Sequence, residues 1–145
     1  MSHARTQIRD AVVTALTSLT TTAGRVYPSR VYALADNELP GLCVYTIDED
    51  SAIGAGSRPR TMHRNMHLGV DAYVKGTGSV DDSIDQICSE VEAALGNTKP
   101  VGVKDLFLAS TRIRQDGQGS KPAMIAVMTF EISFQTKENA PNSIV

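Results

Sequence analysis

The segment from Ala126 to Phe134 constrains the fold more than any other part of the chain. Ala126, Met128, Phe130, Ile132 and Phe134 alternate strictly with Val127, Thr129, Glu131 and Ser133. A period of two places successive side chains on opposite faces of a strand, so this run predicts a β-strand over about 122–136. Its apolar residues point inward, and Thr129, Glu131, Ser133 and Gln135 point outward. One strand cannot bury such a face alone. It needs further strands beside it and a second layer over the apolar side.

The rest of the chain supplies both. Leu68, Val70, Ala72 and Val74 alternate with His67, Gly69, Asp71 and Tyr73, which predicts a strand over about 65–75. Leu42 to Ile47 is a short apolar run that reads as a buried strand, stopped by the like charges Asp48, Glu49 and Asp50. Residues 26–34 are β-rich, but Pro28 cannot donate to a ladder, so they form an edge strand or a crossing segment. A further strand is expected over about 103–114, joined by a hairpin loop at Asp116–Gly119 to the last one. Two stretches carry helical spacing instead. Ile8, Val12, Leu16 and Leu19 make one apolar stripe over about 3–19. Ile84, Cys88, Val91 and Leu95 make another, with Ser79 as N-cap and Asp81 and Asp82 in the first turn. The order is α-β-β-β-α-β-β: an α+β fold with a mainly antiparallel sheet of four to five strands and two amphipathic helices on one face.

A chain of 145 residues fits one domain, and it can bury roughly two-thirds of its unfolded surface without disulfide or metal. The domain is expected over 1–136, with residues 137–145, polar and containing Pro141, as a flexible tail. Fourteen basic and 16 acidic residues give a net charge of −2, which argues against a dedicated nucleic-acid binder. Cys43 and Cys88 fall in apolar patterns and read as small buried hydrophobes. Met1–Arg5 does not begin a signal peptide, and no apolar run approaches the roughly 20 residues of a membrane span. A soluble protein of a reducing cytoplasm is expected.

No catalytic, cofactor-binding or metal site emerges. His63 and His67 straddle a loop and a strand start, where their spacing of four does not make a ligand pair. A Cys43/His67/Asp71 triad lacks the local contexts that make one credible, and a thiol in an apolar strand stays protonated. The carboxylates of the second helix, among them Asp85, Glu90 and Glu92, make a solvated face or an electrostatic surface for a neighbour. Gly54–Ser57 and Gly117–Ser120 are not followed by the Lys-Ser/Thr of a phosphate loop and read as hinges. Residues 51–64 form the longest irregular stretch expected, and they carry Arg58, Arg60 and Arg64. A loop of this length is either a solvated connector or a contact arm.

The chain resembles the tail terminator family of long-tailed bacteriophages, the minor tail protein U-like proteins. The resemblance runs from Arg5 to Thr136. It rests on the opening TQIRDAVVTAL, then VYPSRVYAL, LPGLCVYTIDED, LGVDAYV, the acidic helix DDSIDQICSEVEAAL and the closing AVMTFEISFQT. It implies a structural virion protein and no enzyme: a ring, hexameric in the family, that caps the finished tail tube and halts tube polymerisation. The ring would also present a surface to a head-completion or connector protein. Its partners are then further copies of itself, the tail tube protein and that connector. Genomic DNA would pass through without sequence-specific binding, and no membrane is involved. Assembly would take place in the host cytoplasm, and the protein would end in the virion tail. The candidate interface residues are Tyr27, Arg30, Tyr32, Arg58, Arg60 and Arg64, tyrosine and arginine being enriched where proteins meet. Two other readings compete: another head–tail connector or neck subunit, and a small-ligand-binding or enzymatic α+β domain.

Overall fold

A computed structural model describes residues 2–28, 39–54, 56–76, 80–97, 99–116 and 123–145. Helix α1 spans Ala4–Leu16 and α2 Val80–Asn97. The strands are β1 (Val26–Tyr27), β2 (Gly41–Ile53), β3 (Thr61–Lys75), β4 (Asp105–Asp116), β5 (Ala123–Lys137) and β6 (Ala140–Ile144). The architecture is α+β, with two helices and a six-stranded sheet in the order β1-β2-β3-β5-β4, β6 pairing with β5. Every pairing is antiparallel except β1 with β2. The sheet thus has one strand more than the four to five expected.

The alternation in β5 becomes the centre of the molecule. Ala126, Met128, Phe130, Ile132 and Phe134 are all buried, as are Leu68, Val70, Ala72 and Val74 of β3. The full-length pairing of β3 with β5, from Thr61↔Lys137 to Lys75↔Ala123, aligns the two apolar rows on one face. Onto this face α1 brings Ala4, Ile8, Val12 and Leu16, and α2 brings Ile84, Ile87, Cys88, Val91 and Leu95. His3 caps α1, its Nδ1 accepting the backbone N–H of Arg5. Both helices lie on the same side, so the opposite face of the sheet has no second layer among the described residues.

Two expectations need correction. Asp48, Glu49 and Asp50 do not end a strand: β2 runs on to Ile53 and β3 begins at Thr61, so most of residues 51–64 is a β-ribbon and only 54–60 connects it. The charges are tolerated because β2 has no second strand beside it here among the described residues, and Glu49 finds cations on two other elements. Nor is 137–145 a free tail. Residues 140–144 pair with β5 through Thr136↔Ile144 and Lys137↔Ala140, Ile144 packs against the core, and Gln7 Nε2 donates to the carbonyl of Asn142 at 2.7 Å.

Candidate assembly surface

The side of the sheet turned away from the helices carries Cys43, Tyr45, Asp48 and Asp50 from β2 and His67, Gly69, Asp71 and Tyr73 from β3. Val127, Thr129 and Glu131 of β5 and Arg112 and Arg114 of β4 complete it. Even so, Cys43, Asp71 and Ile125 on this side are each only 2% exposed. Tyr45 shows how. Its ring lies over Gly69, where an added Cβ would come within 2.5 Å of it. Only a residue without a side chain lets the ring lie so close to the backbone. The ring shields Asp71, which is 2% exposed, and the Tyr45 hydroxyl donates to Asp71 Oδ1 at 2.8 Å. A buried carboxylate is costly unless hydrogen-bonded, and this bond helps to offset that cost.

Tyr45, Asp71, Tyr73, Arg112, Arg114 and Val127 line a groove of about 340 Å³ on this face. Burial, with Asp71 nearby, pushes the Tyr73 hydroxyl up to about 12, so it remains a neutral donor. Arg112 and Arg114 are exposed. Their spacing of two on a strand puts both on the same face. That spacing was visible in the sequence and was the signal that could have singled them out. Nothing in the sequence near Asp71 announced its burial, which depends on Tyr45 from another strand.

The candidate interface residues do not form one patch. Tyr27 is half-buried in β1, while Arg30 and Tyr32 lie outside the described residues. Arg58 is exposed in the 54–60 connector. Arg60 is held against Glu138 by its Nε and Nη2 at 3.2 and 3.3 Å, with a further bond from its backbone N–H. Arg64 is not on a loop at all. It lies in β3, donating to Glu49 Oε2 at 2.8 Å and to Thr136 Oγ1 at 2.9 Å. Arg5 reaches the other oxygen of Glu49 at 3.0 Å. The side chains of Arg64 and Glu49 are 10% and 9% exposed. Burial alone would raise the Glu49 carboxyl, but hydrogen bonds from Ser51, Arg5 and Arg64 hold it below its ordinary range. Two of the three arginines are thus committed within the subunit, tying the ribbon to α1 and to the end of β5.

Neither Cys43 nor Cys88 is in a disulfide, and both are buried. Burial lifts the Cys88 thiol to about 11. Cys43 is level with Asp71 in the β2–β3 register, but His67 pairs with Asp48 instead, so the three are not brought together as a triad. Among the described residues, no group of three or more His, Cys, Asp or Glu is arranged to hold a metal, and no helix is long and apolar enough to cross a membrane.

No family model matches the sequence, and no curated protein matches it. Among solved structures, the chain is similar to one from the virion of a native gene transfer agent particle. That chain is 18% identical, the match covers 90% of this protein and 92% of the other, and the TM-score is 0.44.

Proposed function

We propose that this protein is a structural, non-enzymatic subunit of a phage-type virion that forms a ring on the end of the tail tube, stops tube growth and receives the head. The observation that carries this reading is the half-covered sheet. Among the described residues, helices dress one face, the other carries mostly polar and charged side chains, and β2 and β4 have long outer edges with no strand beside them except β1 at Leu42 and Cys43. Such a subunit has surface to give to neighbours. The order of elements and the quoted segments, which resemble the tail terminator family, support the same role. The Tyr45–Asp71 pair is held inside the subunit and serves packing rather than turnover.

Electron microscopy of the purified protein should show rings with a central channel. Particles made without it should carry tails of irregular, excessive length. Tails of normal length in its absence would refute the terminator role. A ring found elsewhere in the neck would instead favour a head–tail connector. The groove beside Asp71 favours a second reading, a small-ligand-binding domain, which requires a monomer or dimer in solution rather than a ring.

A further inference from the structure

We propose that successive copies of this chain join edge to edge, the outer edge of β4 in one copy against the outer edge of β2 in the next, with Arg112 and Arg114 set against Asp48 and Asp50. This interface rests on the ring-forming role proposed above and specifies the two patches that such a ring would use.

Both edges are open among the described residues. β4 has β5 on one side and no strand on the other among the described residues. β2 is flanked by β1 only at Leu42 and Cys43; beyond that its sole described strand neighbour is β3. A long uncovered edge presents backbone donors and acceptors to any strand that can lie beside it.

The charges on the two edges are opposite and lie on the same face. Asp48 and Asp50 are exposed on β2, and Arg112 and Arg114 are exposed on β4. No salt bridge among the described residues includes Arg112, Arg114 or Asp50, and Asp48 meets only His67. Arg112 and Arg114 share their groove with a single carboxylate, Asp71. Both guanidiniums thus stand exposed on this edge, open to an anion from a neighbouring copy.

Strand direction makes the join feasible. Because β2–β3, β3–β5 and β5–β4 are each antiparallel, β2 and β4 run in opposite senses. A neighbour that continues the sheet with the same face outward therefore pairs its β2 antiparallel to β4. In that arrangement a register with Arg112 opposite Asp50 also puts Arg114 opposite Asp48. Ile113 and Ile53, 48% and 52% exposed, lie along these same edges, so the join takes in apolar surface as well as charge. Like edges repel: β4 against β4 sets arginine near arginine, and β2 against β2 sets aspartate near aspartate. The contact is therefore head-to-tail, the kind that forms a ring when the rotation between copies closes.

The test uses the full chain and its mass in solution, by light scattering and native mass spectrometry, with thermal melts to verify folding. Wild type should give a discrete oligomer. R112E/R114E and D48K/D50K should each weaken association by about tenfold or more, the effect of losing close charge pairs across an interface. Mixing the two variants in equal amounts should restore the wild-type size, because each supplies the edge that the other lacks. The chain carrying all four substitutions should also assemble. A wild-type oligomer unaffected by either double substitution overturns this interface but leaves the ring-forming role standing. Failure of both the mixture and the quadruple variant to recover also overturns it. A wild-type chain that stays monomeric even when concentrated overturns the ring-forming role, and the interface with it.

Discussion

Gly69→Ala isolates the packing that protects Asp71. An added Cβ would stand 2.5 Å from the Tyr45 Cζ and 2.8 Å from its hydroxyl oxygen. Neither the backbone of β3, paired on both sides, nor the ring in place can absorb such an overlap, so the ring must swing out. Forced overpacking costs about 1–3 kcal/mol. Moving the ring also breaks its 2.8 Å bond to Asp71 and leaves a carboxylate that is 2% exposed short of a donor. That adds about 1–3 kcal/mol. Gly69→Ala should therefore lose about 2–5 kcal/mol in urea unfolding, with the m-value unchanged. Tyr45→Phe keeps the ring and removes only the hydroxyl, so it should lose about 1–3 kcal/mol. The decisive measurement is the cycle with Tyr45→Ala: once the ring is gone, the alanine at position 69 has nothing to strike, and its added cost should fall below about 1 kcal/mol. A cost for Gly69→Ala that is the same in both backgrounds would show that strand propensity, not the ring, sets it.

Phe130→Ala should cost about 3–5 kcal/mol in the same assay, and a loss under about 1 kcal/mol would place Phe130 outside the core. Glu49→Gln should destabilise by about 1–3 kcal/mol at neutral pH by leaving Arg64 and Arg5 without their anion. Since the folded-state Glu49 carboxyl is held below its ordinary value, its contribution is full above the unfolded value and disappears as pH falls through the folded one. The variant's deficit should accordingly shrink in acid, and a deficit constant with pH would exclude the charge as its source. Arg58→Ser should change the melting temperature little, exposed charges adding at most about 0–1 kcal/mol, whereas Arg64→Ser should lower it clearly. Equal effects from the two would contradict the ion pairing described for Arg64. Cys88 should label slowly with a thiol reagent in the native state at neutral pH, because burial keeps its thiol protonated, and rapid labelling would show an open site.

The elements legible in the sequence were those whose periodicity is intrinsic: the alternating rows of β3 and β5, and the stripes Ile8–Val12–Leu16 and Ile84–Cys88–Val91–Leu95. What escaped depends on partners distant along the chain. Asp48-Glu49-Asp50 reads as a strand stop because three like charges repel, yet Glu49 is satisfied by Arg5 from α1 and Arg64 from β3. Arg64 resembles a loop cation until β5 brings Thr136 beside it. The closing segment carries a proline and polar residues, but Ile144 and the end of β5 give it a place in the sheet. On the candidate surface, the tyrosine and arginine composition was visible, while the convergence of Tyr45, Asp71, Arg112 and Arg114 required the register of four strands.

Two irregularities in that register have a consequence for chain length. The β2–β3 ladder skips Ile47, between Thr46↔Leu68 and Asp48↔His67, and the β4–β5 ladder skips Ala109, between Leu108↔Phe130 and Ser110↔Thr129. Each skipped residue resets the phase of the strand beyond it. If Ile47 paired with His67, Asp48 and Asp50 would turn towards the helices and Glu49 away from Arg5 and Arg64. If Ala109 paired with Thr129, Arg112 and Arg114 would turn beneath α2. Deleting Ile47 or Ala109 merely straightens the strand and leaves every later side chain on its present face. Deleting a paired neighbour such as Asp50 or Thr111 either inverts all that follow or, if the bulge absorbs the loss, turns over Asp48 and Glu49 in β2 or Ser110 in β4. Tolerance of one-residue deletions in these two strands should thus concentrate at positions 47 and 109.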